Sequence, residues 1–157
     1  MDLKVFKRRL AELKEKLRDN NIETAIITDE DNVYYLCGYY DYLHMDFGRP
    51  TLLIISVDRE ILLVTPAIDL NTAQEAACVD RISAWNDGMG EEWREELPQI
   101  LQKSGRIAIE PDQMPPIVKR YIDQEVPSNQ IANVTPILST MRMVKSVEEL
   151  KSARDAG

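Results

Sequence analysis

The stretch that decides the fold is LLIISVDREILLVT, residues 52–65. Its two aliphatic runs, 52–57 and 61–65, flank Asp58-Arg59-Glu60, whose polar side chains suit a turn. So short a connection makes the two strands antiparallel neighbours. Upstream, residues 24–28 (TAIIT) are a short run rich in β-branched side chains, a buried strand ended by the polar turn or helix cap at 29–32. Downstream, strands at 81–85, 106–110 and 131–134 alternate with helices at 91–103 and 116–124. Thr65-Pro66-Ala67-Ile68-Asp69 has a capping Thr, a Pro at the first helical position and an acid in the first turn, which predicts a helix reaching about Cys78. Leu3, Phe6, Leu10, Leu13 and Leu17 recur every three or four residues and predict a helix over 3–19, with lysines and arginines on its other faces and a stop at Asn20-Asn21. Strands alternating with helices, plus one tight strand pair, make an α/β layered domain around a mixed sheet.

The chain has 157 residues, 44% of them hydrophobic, and a net charge of −8. That length supports one domain with a core of its own. The composition excludes collagen-like, disulfide-scaffold and disordered classes. It also argues against nucleic acid as a partner, since phosphate affinity needs an excess of Lys and Arg. The charge is uneven: residues 1–20 hold seven basic and four acidic side chains, a docking surface or a solvated helix face. Two cysteines, Cys37 and Cys78, without a secretory signal favour reduced thiols in a cytoplasmic protein. No apolar run approaches the ~20 residues that cross a bilayer, so no membrane is expected.

The catalytic inventory is thin. A single histidine, His44, allows no two-His metal motif. The cysteines make no CxxC pair, and the glycines at 38, 48, 88, 90, 105 and 157 make no phosphate-binding loop and no GxSxG elbow. Glu91, Glu92, Glu95 and Glu96 read as a solvated helix face. Cys37 reads as a small buried hydrophobe. The unusual segment is VYYLCGYYDYLHMDFGRP, residues 33–50, too long for a simple turn and rich in Tyr and Arg, which are favoured at binding hot spots. Tyr34, Tyr35 and Leu36 fit a short helix packed on the sheet. Phe47-Gly48-Arg49 offers a guanidinium fork for a carboxylate beside an aromatic ring and a permissive glycine, and His44 is a titratable neighbour.

Four markers carry a resemblance: RRLAELKEKLRDNNIETAIIT (8–28), DNVYYLCGYY (31–40), IAIEPDQMP (107–115) and MRMVKSVEELKSARDAG (141–157). With them the chain resembles the N-terminal domain of the creatinase/prolidase/aminopeptidase P family, the pita-bread metallohydrolases. The resemblance implies a three-layer α/β/α unit with a mixed sheet, ribonuclease H-like, over residues 1–143. Residues 144–157 would then begin a linker helix to a C-terminal catalytic domain. It implies no catalytic or metal-binding residue and no bound cofactor in this stretch. Divalent metals (Mn, Co or Zn) would sit in that other domain, on two Asp, one His and two Glu. Implied partners are that catalytic domain, a second copy in a homodimer, and a peptide or small-molecule substrate. Creatinase-type members carry an aromatic-Gly-Arg segment whose Arg meets the substrate carboxylate, which assigns substrate contact to Phe47 and Arg49, with His44 nearby. The expected function is substrate gating and dimerisation in a metal-dependent C–N hydrolase, either an Xaa-Pro dipeptidase or aminopeptidase or a creatinase-like amidinohydrolase. The alternative is a stand-alone protein-binding module of the same fold. Ser146-Val147-Glu148-Glu149 is a capping box opening a last helix that either folds back on this domain or starts a second one.

Overall fold

In a computed structural model, which describes residues 2–40, 50–86 and 91–157, the decisive stretch forms Leu52–Ser56 (β2) and Ile61–Pro66 (β3). They pair antiparallel, with Leu53 opposite Leu63 and Ile55 opposite Ile61. Every residue of both strands is buried. A strand can be apolar on both faces only where both are covered. Leu53, Ile55 and Leu63 point into one core, while Leu52, Ile54, Leu62 and Val64 point into the other. The full sheet has six strands in the order β4-β3-β2-β1-β5-β6. The other four are Thr24–Ile27 (β1), Arg81–Trp85 (β4), Ile107–Ile109 (β5) and Ile131–Asn133 (β6). β1 is antiparallel to β2 and parallel to β5, and β4 and β6 add in parallel at the two edges.

The helices are Leu3–Asp19 (α1), Glu30–Cys37 (α2), Leu70–Ala76 (α3), Leu97–Lys103 (α4), Pro116–Glu125 (α5), Thr135–Met143 (α6) and Val147–Ala156 (α7). α1, α2, α3 and α6 supply residues to the core on one face, and α4 and α5 to the core on the other. The result is the expected three-layer α/β/α unit with a mixed sheet. α1 buries Phe6, Leu10, Leu13 and Leu17, and Asn21 just past its end has a φ of +57°. Gly38 ends α2 at φ +83°, where a Cβ would stand 2.9 Å from the Phe6 ring. No helix among the described residues is long and apolar enough to cross a membrane.

Three elements depart from the sequence expectation. Pro66 does not open a helix: it pairs with Trp85 as the last residue of β3, in an extended conformation (ψ 141°). The chain then passes through a 3₁₀ turn, Ala67–Asp69, before α3 begins. Parallel pairing to β4 outweighs the local helix-start signal. The helix expected over 91–103 is split into a 3₁₀ turn, Glu92–Arg94, and α4. Pro98 lacks the N–H that a helix interior requires and sits instead in the first turn of α4. Of the four glutamates on that stretch, Glu96 is drawn into a forked pair with Arg81 at 2.9 and 3.1 Å. α6 is the third departure, a helix that the sequence reading did not anticipate. Asn133 accepts from the Thr135 N–H at 2.9 Å, and burial of Leu138 and Met141 holds the helix on the sheet.

Candidate functional site

β1 and β5 lie side by side and parallel, yet β1 runs on into α2 on one face and β5 into α5 on the other. Such a divergence opens a crevice at the carboxyl ends of the strands, the usual ligand position in open α/β sheets. Here a side chain of the protein fills it. Glu110, the residue after β5, is 1% exposed. Its Oε1 accepts from the N–H groups of Thr28 and Asp29 at 2.9 and 3.1 Å. Its Oε2 accepts from Asn32 Nδ2 at 2.6 Å. The Asn32 Oδ1 accepts in turn from Arg142 Nη1 at 2.9 Å. Burial pushes the Glu110 carboxyl above the usual carboxylate range, against the opposing pull of its three donors. An open groove of about 600 Å³ lies over this chain, lined among others by Asp29, Gln113, Ser139 and Lys145.

A second buried cluster adjoins it. Arg9 was expected on a solvent face of the first helix; it is 4% exposed instead. Its guanidinium stands 4.0 Å above the Tyr35 ring, donates to the Tyr35 carbonyl at 2.7 Å and meets Glu149 Oε1 at 2.5 Å. Tyr35 Oη donates to the Met141 carbonyl at 3.3 Å. Glu149 also accepts from the Ser146 N–H at 2.7 Å while its own N–H donates to Ser146 Oγ at 3.2 Å, completing the expected capping box. Burial alone would raise the Glu149 pKa, but the Ser146 N–H and Arg9 hold it below the usual range. The first turn of the final helix is therefore tied to α1, although none of its ten residues is buried.

The two clusters fix the course of residues 142–150. Neither contains a nucleophile beside a base, and each carboxylate spends its lone pairs on internal donors. Their chemistry is that of positioning. Sequence reasoning missed Arg9, Asn32, Glu110, Arg142 and Glu149 as a group, although each lies within one of the four markers. An acid directly after a buried parallel strand, as at Glu110, was the available signal.

His44, Phe47 and Arg49 lie outside the described residues. The residues that flank them are placed: Tyr39 is buried with its Oη 3.1 Å from Thr65 Oγ1, and Thr51 Oγ1 is 3.4 Å from the same atom. Trp85 Nε1 donates to the Pro50 carbonyl at 3.2 Å. Thr65 and Trp85 stand near the carboxyl ends of β3 and β4, so Tyr39, Pro50 and Thr51 stand at the same end of the sheet as Glu110. Cys37 is fully buried, as expected, and burial pushes its thiol up to about 12. Among the described residues no group of three or more His, Cys, Asp or Glu is placed to hold a metal ion.

The Glu110 cluster carries a pH prediction. A carboxyl whose native pKa is raised binds more protons folded than unfolded, so its contribution to stability falls as pH rises from about 4.3 towards the native value. Urea titrations between pH 4 and 8 should show this slope in the native protein and lose it in Glu110→Gln. Parallel curves for the two proteins would contradict the assignment.

Fold and site together define a three-layer α/β domain whose buried polar residues anchor the first turn of α7. Residues 9–144 match the Creatinase/Prolidase N-terminal domain family, and the chain belongs to it. It is similar to creatinase from a Bacillus species, at 24% identity over 147 residues, or 91% of this chain. The chain spans only 34% of that relative's length. Among solved structures it resembles the creatinase/prolidase N-terminal domain of an X-Pro dipeptidase from Streptococcus pyogenes, with TM-score 0.70 and 24% identity, covering 85% of this chain and 98% of that one. It also resembles the prolidase from Pyrococcus horikoshii, with TM-score 0.71 and 18% identity, covering 92% of this chain and 37% of that one.

Proposed function

We propose that this chain is the non-catalytic N-terminal domain of a metal-dependent hydrolase of C–N bonds, an Xaa-Pro dipeptidase or aminopeptidase or a creatinase-like amidinohydrolase. In this reading residues 1–143 form the domain and 144–157 begin the linker helix to a catalytic domain on the same polypeptide. The observation that carries it is the family match, together with an exit segment clamped by Arg9 and Glu149 that leaves Met143, Val144, Val147 and Leu150 exposed. Exposed contiguous apolar side chains mark a surface for another protein body. The catalytic domain would hold the divalent metal (Mn, Co or Zn) and supply an activated water. This domain would contribute orientation and exclusion of water, and would help two subunits pair. Arg49, beside Phe47 and with His44 nearby, would grip a substrate carboxylate. A cytoplasmic setting, with both cysteines as thiols, accompanies this reading.

The test compares the polypeptide that includes the catalytic domain with its Arg49→Ala variant. A charged fork lost from a carboxylate is worth about 1.5–3 kcal/mol, so kcat/KM should fall roughly 10–100-fold on carboxylate-bearing substrates. An unchanged kcat/KM removes Arg49 from the site. Metal-dependent hydrolysis by residues 1–157 alone would overturn the division of labour.

A further inference from the structure

The two cysteines are 41 positions apart in sequence, yet the fold brings them together. Gly38 ends α2 close against the end of α3, where a Cβ would stand 3.1 Å from the Ala76 carbonyl oxygen. Beside this contact, the Cys78 N–H donates to the Cys37 carbonyl at 2.7 Å. That bond makes the two residues backbone neighbours, and the Cys78 side chain acts electrostatically on the Cys37 thiol; a disulfide between them requires Cα atoms ~4.4–6.8 Å apart. Both residues are free thiols, Cys37 buried and Cys78 partly exposed. Cys78 lines a groove of about 300 Å³ on the outer side, with Lys7, Lys14, Val79 and Asp80 around it.

We propose that Cys37 and Cys78 are a thiol–disulfide exchange site that takes an acidic low-molecular-weight disulfide as its co-substrate. The lysines of the groove attract the carboxylates of such a molecule, and Cys78 is the sulfur it can reach. Cys78 gives its proton to solvent and attacks one sulfur of the small disulfide. That S–S bond breaks, a mixed disulfide forms on Cys78, and the released thiolate is protonated. Cys37 then loses its proton and attacks the Cys78 sulfur, expelling the second small thiol. In balance, two protein thiols are oxidised to one disulfide by two electrons, and one small disulfide is reduced to two thiols. The closed loop encloses residues 38–77, the 41–49 stretch included.

The 157-residue chain is incubated with glutathione disulfide, quenched by alkylation, and read by intact mass and peptide mapping. The expected product is about 2 Da lighter than the reduced chain, with the Cys37 and Cys78 peptides linked, and is restored by dithiothreitol. Closing a loop of this size should raise Tm by roughly 10 °C. Because the Cys37 thiol sits at about 12, the closing step should quicken with pH up to about tenfold per unit, whereas structural burial alone predicts no closure at any pH. Cys78→Ser should abolish the reaction, and Cys37→Ala should stop it at the mixed disulfide; should that core substitution not fold, peptide mapping of the native chain decides alone. A glutathione adduct that persists on Cys78, an intermolecular link, or no reaction where a model cysteine peptide reacts each overturns the proposal.

Discussion

Trp93→Ala should destabilise the domain by about 3–5 kcal/mol, the range for removing a large buried aromatic. Trp93 is 1% exposed and belongs to the core formed by α4 and α5 against the sheet. Its ring meets Tyr121 edge-on, with centroids 5.8 Å apart, and Arg94 stands 5.3 Å over the far partner of that pair. The residue lies in a single 3₁₀ turn between β4 and α4, so its side chain is what fastens that connection to the sheet. Yet its indole Nε1 is buried without a hydrogen-bond partner among the described residues. An unmade buried hydrogen bond costs about 1–3 kcal/mol. Trp93→Phe keeps most of the packing and removes the orphaned donor, so it should cost much less than the alanine variant, under about 1.5 kcal/mol. Urea unfolding of the two variants checks this. Equal losses for Phe and Ala would show that shape, not the indole's burial, governs the site.

Glu149→Ala should release α7 from the domain. The helix has ten residues, none of them buried, and a helix of that length is marginal in water by itself. What holds it is centred on one carboxylate, which closes the capping box with Ser146 and reaches Arg9. Removing a cap costs about 1 kcal/mol, and stripping a buried cation of its partner costs several more unless water reaches it. Undocking lets water reach Arg9, so the loss should settle at about 2–3 kcal/mol. Its local signature is larger: amides of 147–156 should lose protection in hydrogen exchange while those of β1 and β2 keep theirs. Arg9→Met should release the same helix at lower global cost, because Glu149 then simply returns to solvent. Unaltered exchange of α7 in Glu149→Ala would mean that other contacts dock it. The adjacent Arg8–Glu148 pair, 3.7 Å apart and half exposed on both sides, is too weak to take over that role.

Much of the architecture is legible in local patterns. The paired runs at 52–65 specify an antiparallel neighbour pair because their turn is too short for any other connection. Leu10, Leu13 and Leu17 specify the buried face of α1 because only a helix puts that spacing on one side. Ser146 and Glu149 specify a helix start through two reciprocal hydrogen bonds between neighbours three residues apart. Each of these signals is complete within a few residues, so the sequence alone suffices to read it.

Where a residue's partner lies far along the chain, local pattern misleads or is silent. Pro66 stays extended because Trp85 pairs with it across two strands. Arg9 looks like one more cation on a basic helix until the fold stacks Tyr35 beneath it and brings Glu149 from 140 positions away. Glu110 looks like a polar end to a strand until the turn from β1 into α2 delivers two amides and Asn32 to its carboxylate. Composition and motifs by themselves determined the class of domain, its helices and strands of regular pattern, and the family it resembles. Tertiary structure alone decided which charges are buried, how the exit helix is clamped, and that two distant cysteines meet. The physical reason is that a local pattern sets which face of an element is apolar, whereas desolvation and long-range hydrogen bonds act only between segments already packed.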